Sequence, residues 1–269
     1  MNTELEELRA WQRIQLEWNR QLPLPSQGPE GVTVVAYHFW PIDKADAEFA
    51  YLECSIRETW RHCGLLPVSL VVDRTSDAVE KFVAAFSGLV SARISPNLCS
   101  GSVPSMSLDC NACLSEHFET EYALVVQNDG FPLRSGLERF LGEWDYVGAP
   151  FMRRRLLTRM LGLWPRFAVG NGGFSLRSKK ICTLVNRRWA NHARFLKGTK
   201  YQAEDDYYCY LLPLFSRSYR KAVTFAPLSV ALEFAYDDLY QELPDKMPFG
   251  FHGAKAFSSF RKRGWIPEA

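Results

Sequence analysis

The chain has 269 residues, 47% of them hydrophobic and 23% charged, which is enough for one large or two small domains around a sizeable core. A formal net charge of +2 gives no global field of the kind that recruits nucleic acid. No apolar run approaches the roughly 20 residues of a membrane span. The cysteines number seven, with irregular spacing. Cys110 and Cys113 are the only close pair. No second pair completes a zinc site, so they read as half-buried free thiols. With no signal peptide, the expected setting is reducing and cytoplasmic.

In chain order, Leu5, Leu8, Trp11 and Ile14 recur at helical spacing in an amphipathic segment over residues 3–20. Pro23, Pro25, Gly28 and Pro29 break it. Residues 1–28 are thus an arm and linker, packed on the domain or on a partner, and 29–269 a single domain. Val32 to Tyr37 predicts a buried strand, followed by a helix over Ala45 to His62. Val68 to Val72 predicts a second strand, with Asp73 at its end. A helix over Asp77 to Phe86 and a strand over Leu89 to Ile94 come next. A loop rich in Ser, Gly and Pro, Ser95 to Ser105, leads to a helix ending near Phe118. Ala123 to Val126 is a strand that runs into the turn Gln127-Asn128-Asp129-Gly130. Strands alternating with helices at this spacing predict an α/β fold with a mostly parallel twisted sheet flanked by helices. No Gly-x-Gly-x-x-Gly follows the first strand and no Walker A sequence is present, so neither a dinucleotide fold nor a P-loop is supported.

The second half is less regular. Tyr146 to Pro150 reads as a short strand and turn. Met152 to Trp164 is basic and apolar together, either a surface helix or a patch for anionic lipid. In Val169-Gly-Asn-Gly-Gly-Phe-Ser-Leu-Arg177, three glycines surround one asparagine. Such a run suits a tight turn, or a floor over which a substrate lies. Ser178 can cap the next helix. Glu204, Asp205 and Asp206 crowd before an aromatic run. A helix dipole favours acids there, but mutual repulsion also raises carboxylate pKa values, which suits a general base. His252 stands in a predicted loop, Pro248-Phe-Gly-Phe-His252, where it is a packing residue or a metal ligand. Asp129 ends a strand, where open α/β sheets place ligands, although Asp-Gly is also a common turn.

As an ordered set, Gln127-Asn128-Asp129, Trp144-Asp145-Tyr146-Val147-Gly148-Ala149-Pro150, Gly170 to Arg177, Glu204-Asp205 and Pro248 to His252 resemble glycosyltransferases of the GT-A fold. They are similar in particular to a glycosyltransferase-like family, often labelled a domain of unknown function, found beside polysaccharide genes. The resemblance spans about residues 32 to 255. A more distant similarity is to β-1,4-galactosyltransferases. What the resemblance implies is an inverting, metal-assisted transfer of sugar from a nucleotide-sugar, with a UDP-sugar the expected donor, to a glycan or lipid-linked acceptor. Asp129 would stand for the last acid of an Asp-x-Asp motif and, with His252, hold Mn²⁺ or Mg²⁺ on the donor diphosphate. Asp205 would be the base, with Glu204 or Asp206 holding the acceptor. Asn171, Gly172 and Gly173 would line the substrate pocket. Asp73 could contact the nucleoside.

Gln127 replaces the first acid of that motif and brings no charge. The basic segments 152–164 and 255–265 would bring the protein to a membrane surface. The rival reading is a non-catalytic glycan- or nucleotide-binding protein on the same scaffold. A metal-dependent phosphoester hydrolase is a third, and it would want more ligands than the sequence offers.

Overall fold

The structure is a computed structural model that describes residues 3–99, 101–150, 169–196, 199, 202–237 and 243–267. The basic apolar segment 152–164 falls outside the described residues. Among those described, no helix is long and apolar enough to cross a membrane.

Six strands form the central sheet: β1 (Val32–His38), β2 (Val68–Val72), β3 (Val90–Ile94), β4 (Tyr122–Val126), β6 (Tyr146–Gly148) and β7 (Phe174–Ser178). Their order is β3-β2-β1-β4-β7-β6. The first four are parallel, while β7 runs antiparallel to both β4 and β6. The α/β sheet expected from the alternation is therefore present, mostly parallel and flanked by helices. Every residue of β1, β2 and β4 is buried. That follows from their position, since strands covered by helices on both faces read as continuous apolar runs. The crossovers are α2 (Ile42–Cys63), α3 (Asp77–Ala85) and α4 (Val103–Cys113). Ser178 caps α5 (Lys179–Leu196) as expected, accepting from the Ile181 N–H at 3.2 Å.

A second sheet holds three short strands in the order β5-β9-β8: β5 (Gly130–Pro132), β8 (Ala235–Asp237) and β9 (Gly250–His252). His252 is thus a strand residue rather than the loop residue expected. In register, it faces Gly130 on one side and Asp237 on the other. This small sheet carries a second core, made with α1 (Thr3–Gln21) and the C-terminal helix Ala254–Lys262. Trp11 of α1 stacks on Phe131 at 5.4 Å between ring centroids. Phe257 and Phe260 are fully buried in the same core. The segment 255–265, read as a membrane contact, lies partly in this core. The aromatic side of that segment is spent on α1 and the small sheet, and what it leaves exposed is Lys255, Lys262, Arg263 and Gly264.

Candidate active site

The turn after β4 is held from two sides. Its Gly130 begins β5, and the Gly253 N–H donates to the Asp129 carbonyl at 2.9 Å. From α1, Arg9 and Gln12 both donate to the Asn128 carbonyl, at 3.0 and 2.7 Å. The N-terminal helix is thus a brace for this turn. Asp129 and His252 meet across it, with Oδ1 3.2 Å from Nε2. The other ring nitrogen, Nδ1, lies 2.9 Å from Oδ2 of Asp237. Gln127 Oε1 is 3.1 Å from the same Nε2.

Asn171 closes this group from below. It is the one non-glycine with positive φ among the described residues, at 73°. Asparagine tolerates that region better than most side chains. Its carbonyl accepts from the Tyr146 hydroxyl at 3.0 Å, and its Oδ1 accepts from the Gly173 N–H at 2.8 Å. Its Nδ2 donates to Asp237, and lies 3.2 Å from His252 Nδ1. The glycines beside it are not at positive φ and serve the close approach of neighbouring groups. A Cβ on Gly172 would stand 1.4 Å from Glu204 Oε1, and one on Gly173 would stand 2.0 Å from His252 Nε2. Two adjacent glycines let the acidic helix and the histidine approach one strip of backbone from opposite sides.

On the far side, the helix starting at Glu204–Asp206 presents its acids. Glu204 accepts from the Ser107 hydroxyl of α4 at 2.5 Å and faces Arg177 at 3.7 Å. Arg177 is wholly buried, its guanidinium over the rings of Tyr146 and Tyr208 at 5.2 and 4.9 Å. Burial, then Glu204 and Asp206, push the Asp205 carboxyl up to about 7. A group ionising there is poised to accept a proton near neutral pH. The opposite holds at the histidine. Burial favours its neutral form, but Asp129 and then Asp237 outweigh that and raise its pKa well above the usual range. Asp129 is held below the carboxylate range, because His252 and Arg9 outweigh its own burial.

These groups line one cavity of about 580 Å³. Asp129, Gln127, Asn171, Gly172, Gly173, Glu204, Asp205 and His252 all reach it. Asp206 is buried but does not line it, and Asp73 instead pairs with Arg74 at 3.2 Å. The residues that sequence reasoning missed are Asp237, Ser107, Arg177 and Lys255. Asp237 sits in a three-residue strand that no periodicity reveals, although Arg177 ended a motif already singled out.

The donor chemistry fits a divalent cation. Cis ligands of an octahedral ion with bonds of about 2.1 Å stand about 3.0 Å apart. Asp129 Oδ1 and Gln127 Oε1 lie at that spacing from His252 Nε2, at 3.2 and 3.1 Å. Asp237 at Nδ1 is the carboxylate partner that metal-bound histidines generally have.

Comparison with family profiles matches residues 100–252 to DUF5672, a protein of unknown function. The chain belongs to that family. The matched DUF5672 region runs from α4 to His252 and so contains most of the cavity lining. The search of curated proteins returned no match. Solved structures similar to it include mouse xyloside xylosyltransferase 1, at 9% identity over 84% of this chain and 98% of that one, with a TM-score of 0.49. Apo glycosyltransferase GlyE of Streptococcus pneumoniae TIGR4 is similar at 11% identity over 84% of this chain, with a TM-score of 0.48. This chain spans about half, 54%, of the GlyE chain. The mannosyltransferase Ktr4p of S. cerevisiae shares 9% identity over 76% of this chain and 72% of its own, at a TM-score of 0.42.

Proposed function

We propose that this DUF5672 protein is a glycosyltransferase that moves a sugar from a nucleotide-sugar to an acceptor hydroxyl. The observation that carries the reading is that one cavity is lined both by the carboxylate–histidine–carboxylate line of Asp129, His252 and Asp237 and by Asp205, whose carboxyl is pushed up to about 7. Asp129, His252 and Gln127 would hold Mn²⁺ or Mg²⁺, and a histidine ligand favours Mn²⁺. Bound there, the ion supplies charge stabilisation to a departing diphosphate. Lys255 and the first turn of the helix Ala254–Lys262 reach the same end of the cavity. A helix N-terminus and an ammonium both suit phosphate oxygens. Asp205 takes the proton from the acceptor hydroxyl. The attacking oxygen then bonds to the anomeric carbon as the bond to the diphosphate breaks. A base distinct from the leaving-group site suits a single displacement, which inverts the anomeric centre. Glu204, fixed by Ser107, accepts from a hydroxyl of the acceptor. A UDP-sugar is the first donor to test, and a growing glycan, free or lipid-linked, the acceptor class.

The test is calorimetric titration with UDP, GDP, CDP and CMP, each with and without Mn²⁺. One nucleotide should bind, more tightly with Mn²⁺, and Asp129→Ala should abolish the gain. Tight binding indifferent to metal would take the ion away from Asp129 and His252. No binding to any nucleotide would replace this reading with a glycan-binding scaffold.

A further inference from the structure

Away from the cavity lining, three side chains of different chemistry converge beside α4. Asp109, Cys113 and His117 follow one another at four-residue spacing, which places them on one face of a helical path. Their donor atoms all lie within 4.8 Å of one another, and among the described residues theirs is the group of three His, Cys or acidic residues that does so. His117 Nε2 is 2.7 Å from Asp109 Oδ2. Cys113 Sγ is 3.1 Å from Asp109 Oδ1 and 3.8 Å from His117 Nε2.

The geometry points to a zinc site formed by Asp109, Cys113 and His117, separate from the site proposed for the donor diphosphate. With zinc bonds of about 2.3 Å to sulfur and about 2.0 Å to nitrogen and oxygen, tetrahedral angles set the ligands apart. Sulfur then stands about 3.6 Å from each other donor, and nitrogen about 3.3 Å from oxygen. The sulfur lies 3.1 Å from Asp109 Oδ1 and 3.8 Å from His117 Nε2, within about half an ångström of that spacing, while the imidazole meets the other carboxylate oxygen, Oδ2, at 2.7 Å. Rotation of the Asp109 carboxylate, so that one oxygen faces both partners, and a widening of its two contacts complete the triangle. Mixed thiolate, imidazole and carboxylate donors select zinc over the hard cations.

The surroundings are those of supported ligands. The Tyr37 hydroxyl donates to Asp109 Oδ2 at 3.0 Å, and the Ser95 hydroxyl donates to Oδ1. The Asn97 amide lies 3.3 Å from Cys113 Sγ and 3.4 Å from Asp109 Oδ1. Turning that amide over exchanges its nitrogen for oxygen, a neutral fourth donor. Such an ion would tie α4 to the segment after β3. Ser107, which holds Glu204, stands two residues before Asp109 on the same helix. The role is therefore structural, and it reaches the cavity through α4.

The experiment is a Co²⁺ titration of the full chain after chelator treatment. A thiolate-to-cobalt charge-transfer band and the strong visible bands of a tetrahedral ion should appear, and Zn²⁺ should displace them. Cys113→Ser should lose the charge-transfer band, while Asp129→Ala should keep it, which separates this site from the proposed donor site. Absence of the band in the wild-type protein, or its survival in Cys113→Ser, overturns the proposal. If Cys113→Ser does not fold, His117→Gln should weaken zinc binding at least tenfold. X-ray absorption of the zinc-loaded wild-type protein should then show one sulfur in the first shell, and a shell without sulfur is equally decisive against it.

Discussion

Asp237 Oδ2 lies 2.9 Å from His252 Nδ1, so the histidine that faces Asp129 through Nε2 is fixed by a carboxylate at its other nitrogen. The pairing follows from the parallel register of β8 and β9, which sets Asp237 directly beside His252. A histidine held this way keeps its proton on Nδ1 and offers the Nε2 lone pair to an ion. Asp237→Asn should therefore weaken Mn²⁺ binding about 10- to 100-fold in a calorimetric titration. An unchanged affinity would show that the carboxylate only supports the fold.

Without an ion, both nitrogens of His252 face carboxylates, and its pKa is raised well above the usual value. Mn²⁺ must then displace a proton. Binding should strengthen as pH rises, with release of one proton per ion. Titration in buffers of different ionisation enthalpy measures that release directly, and a count of zero would remove Nε2 from the ligand set.

Gly172 and Gly173 are adjacent, yet their substitution should damage different functions. A methyl on Gly173 meets the His252 ring, while one on Gly172 meets the Glu204 carboxylate. Gly173→Ala should abolish the Mn²⁺ dependence of nucleotide binding. Gly172→Ala should leave Mn²⁺ affinity within a few-fold and lose transfer. Both force atoms into a packed site, a strain of about 1–3 kcal/mol, readable as a lowered denaturation midpoint. Equal effects of the two on metal binding would contradict the division of the cavity into a metal side and an acid side.

How far the sequence reached can be judged from these residues. β1, β2 and β4 were legible because strands buried on both faces are uninterrupted apolar runs. Asp129, His252 and Asp205 were legible as motif residues, but their meeting was not. It depends on β5, β8 and β9, each three residues long, of which β5 and β9 pair across more than a hundred positions of chain. Strands of three residues leave no periodic trace, so nothing in the sequence singled out Asp237. Ser107 was hidden for another reason. Its neighbours fit an ordinary buried helix face, and only the tertiary contact with Glu204 distinguishes it. His252 looked like a loop residue because glycine and proline dominate its neighbourhood.

Lys255 lines the cavity one turn beyond His252 and contributes a positive charge where a diphosphate would sit. Lys255→Ala should weaken nucleoside diphosphate binding about tenfold, the equivalent of about 1.4 kcal/mol, and leave Mn²⁺ binding alone unchanged. The wild-type affinity should fall with added salt more steeply than that of the variant, because an exposed charge is screened. Parallel salt dependence would mean that Lys255 does not face the phosphates.

Asp205 gives the pH profile. Its carboxyl is pushed up to about 7 by burial and by Glu204 and Asp206. A base must be ionised to act, so the transfer rate should rise with pH through a midpoint near 7 and level off above it. Asp205→Asn should lose transfer and keep nucleotide binding within a few-fold, and equal loss of both would remove Asp205 from the role of base. The same shift has a consequence for stability, of opposite sign. An acid whose pKa is higher in the folded state binds its proton more tightly there than in the unfolded chain. Stability therefore falls as pH rises from the unfolded value of about 3.9 towards 7, and the full penalty remains above it. The amide of Asp205→Asn cannot ionise and escapes that penalty. The variant should melt at a higher temperature than the wild-type protein at pH 8, with the difference shrinking towards pH 5. A wild-type protein that is no less stable than the variant at pH 8 would show that Asp205 ionises there without cost. The acids at the start of this helix would then be ordinary dipole-favoured residues rather than a strained site.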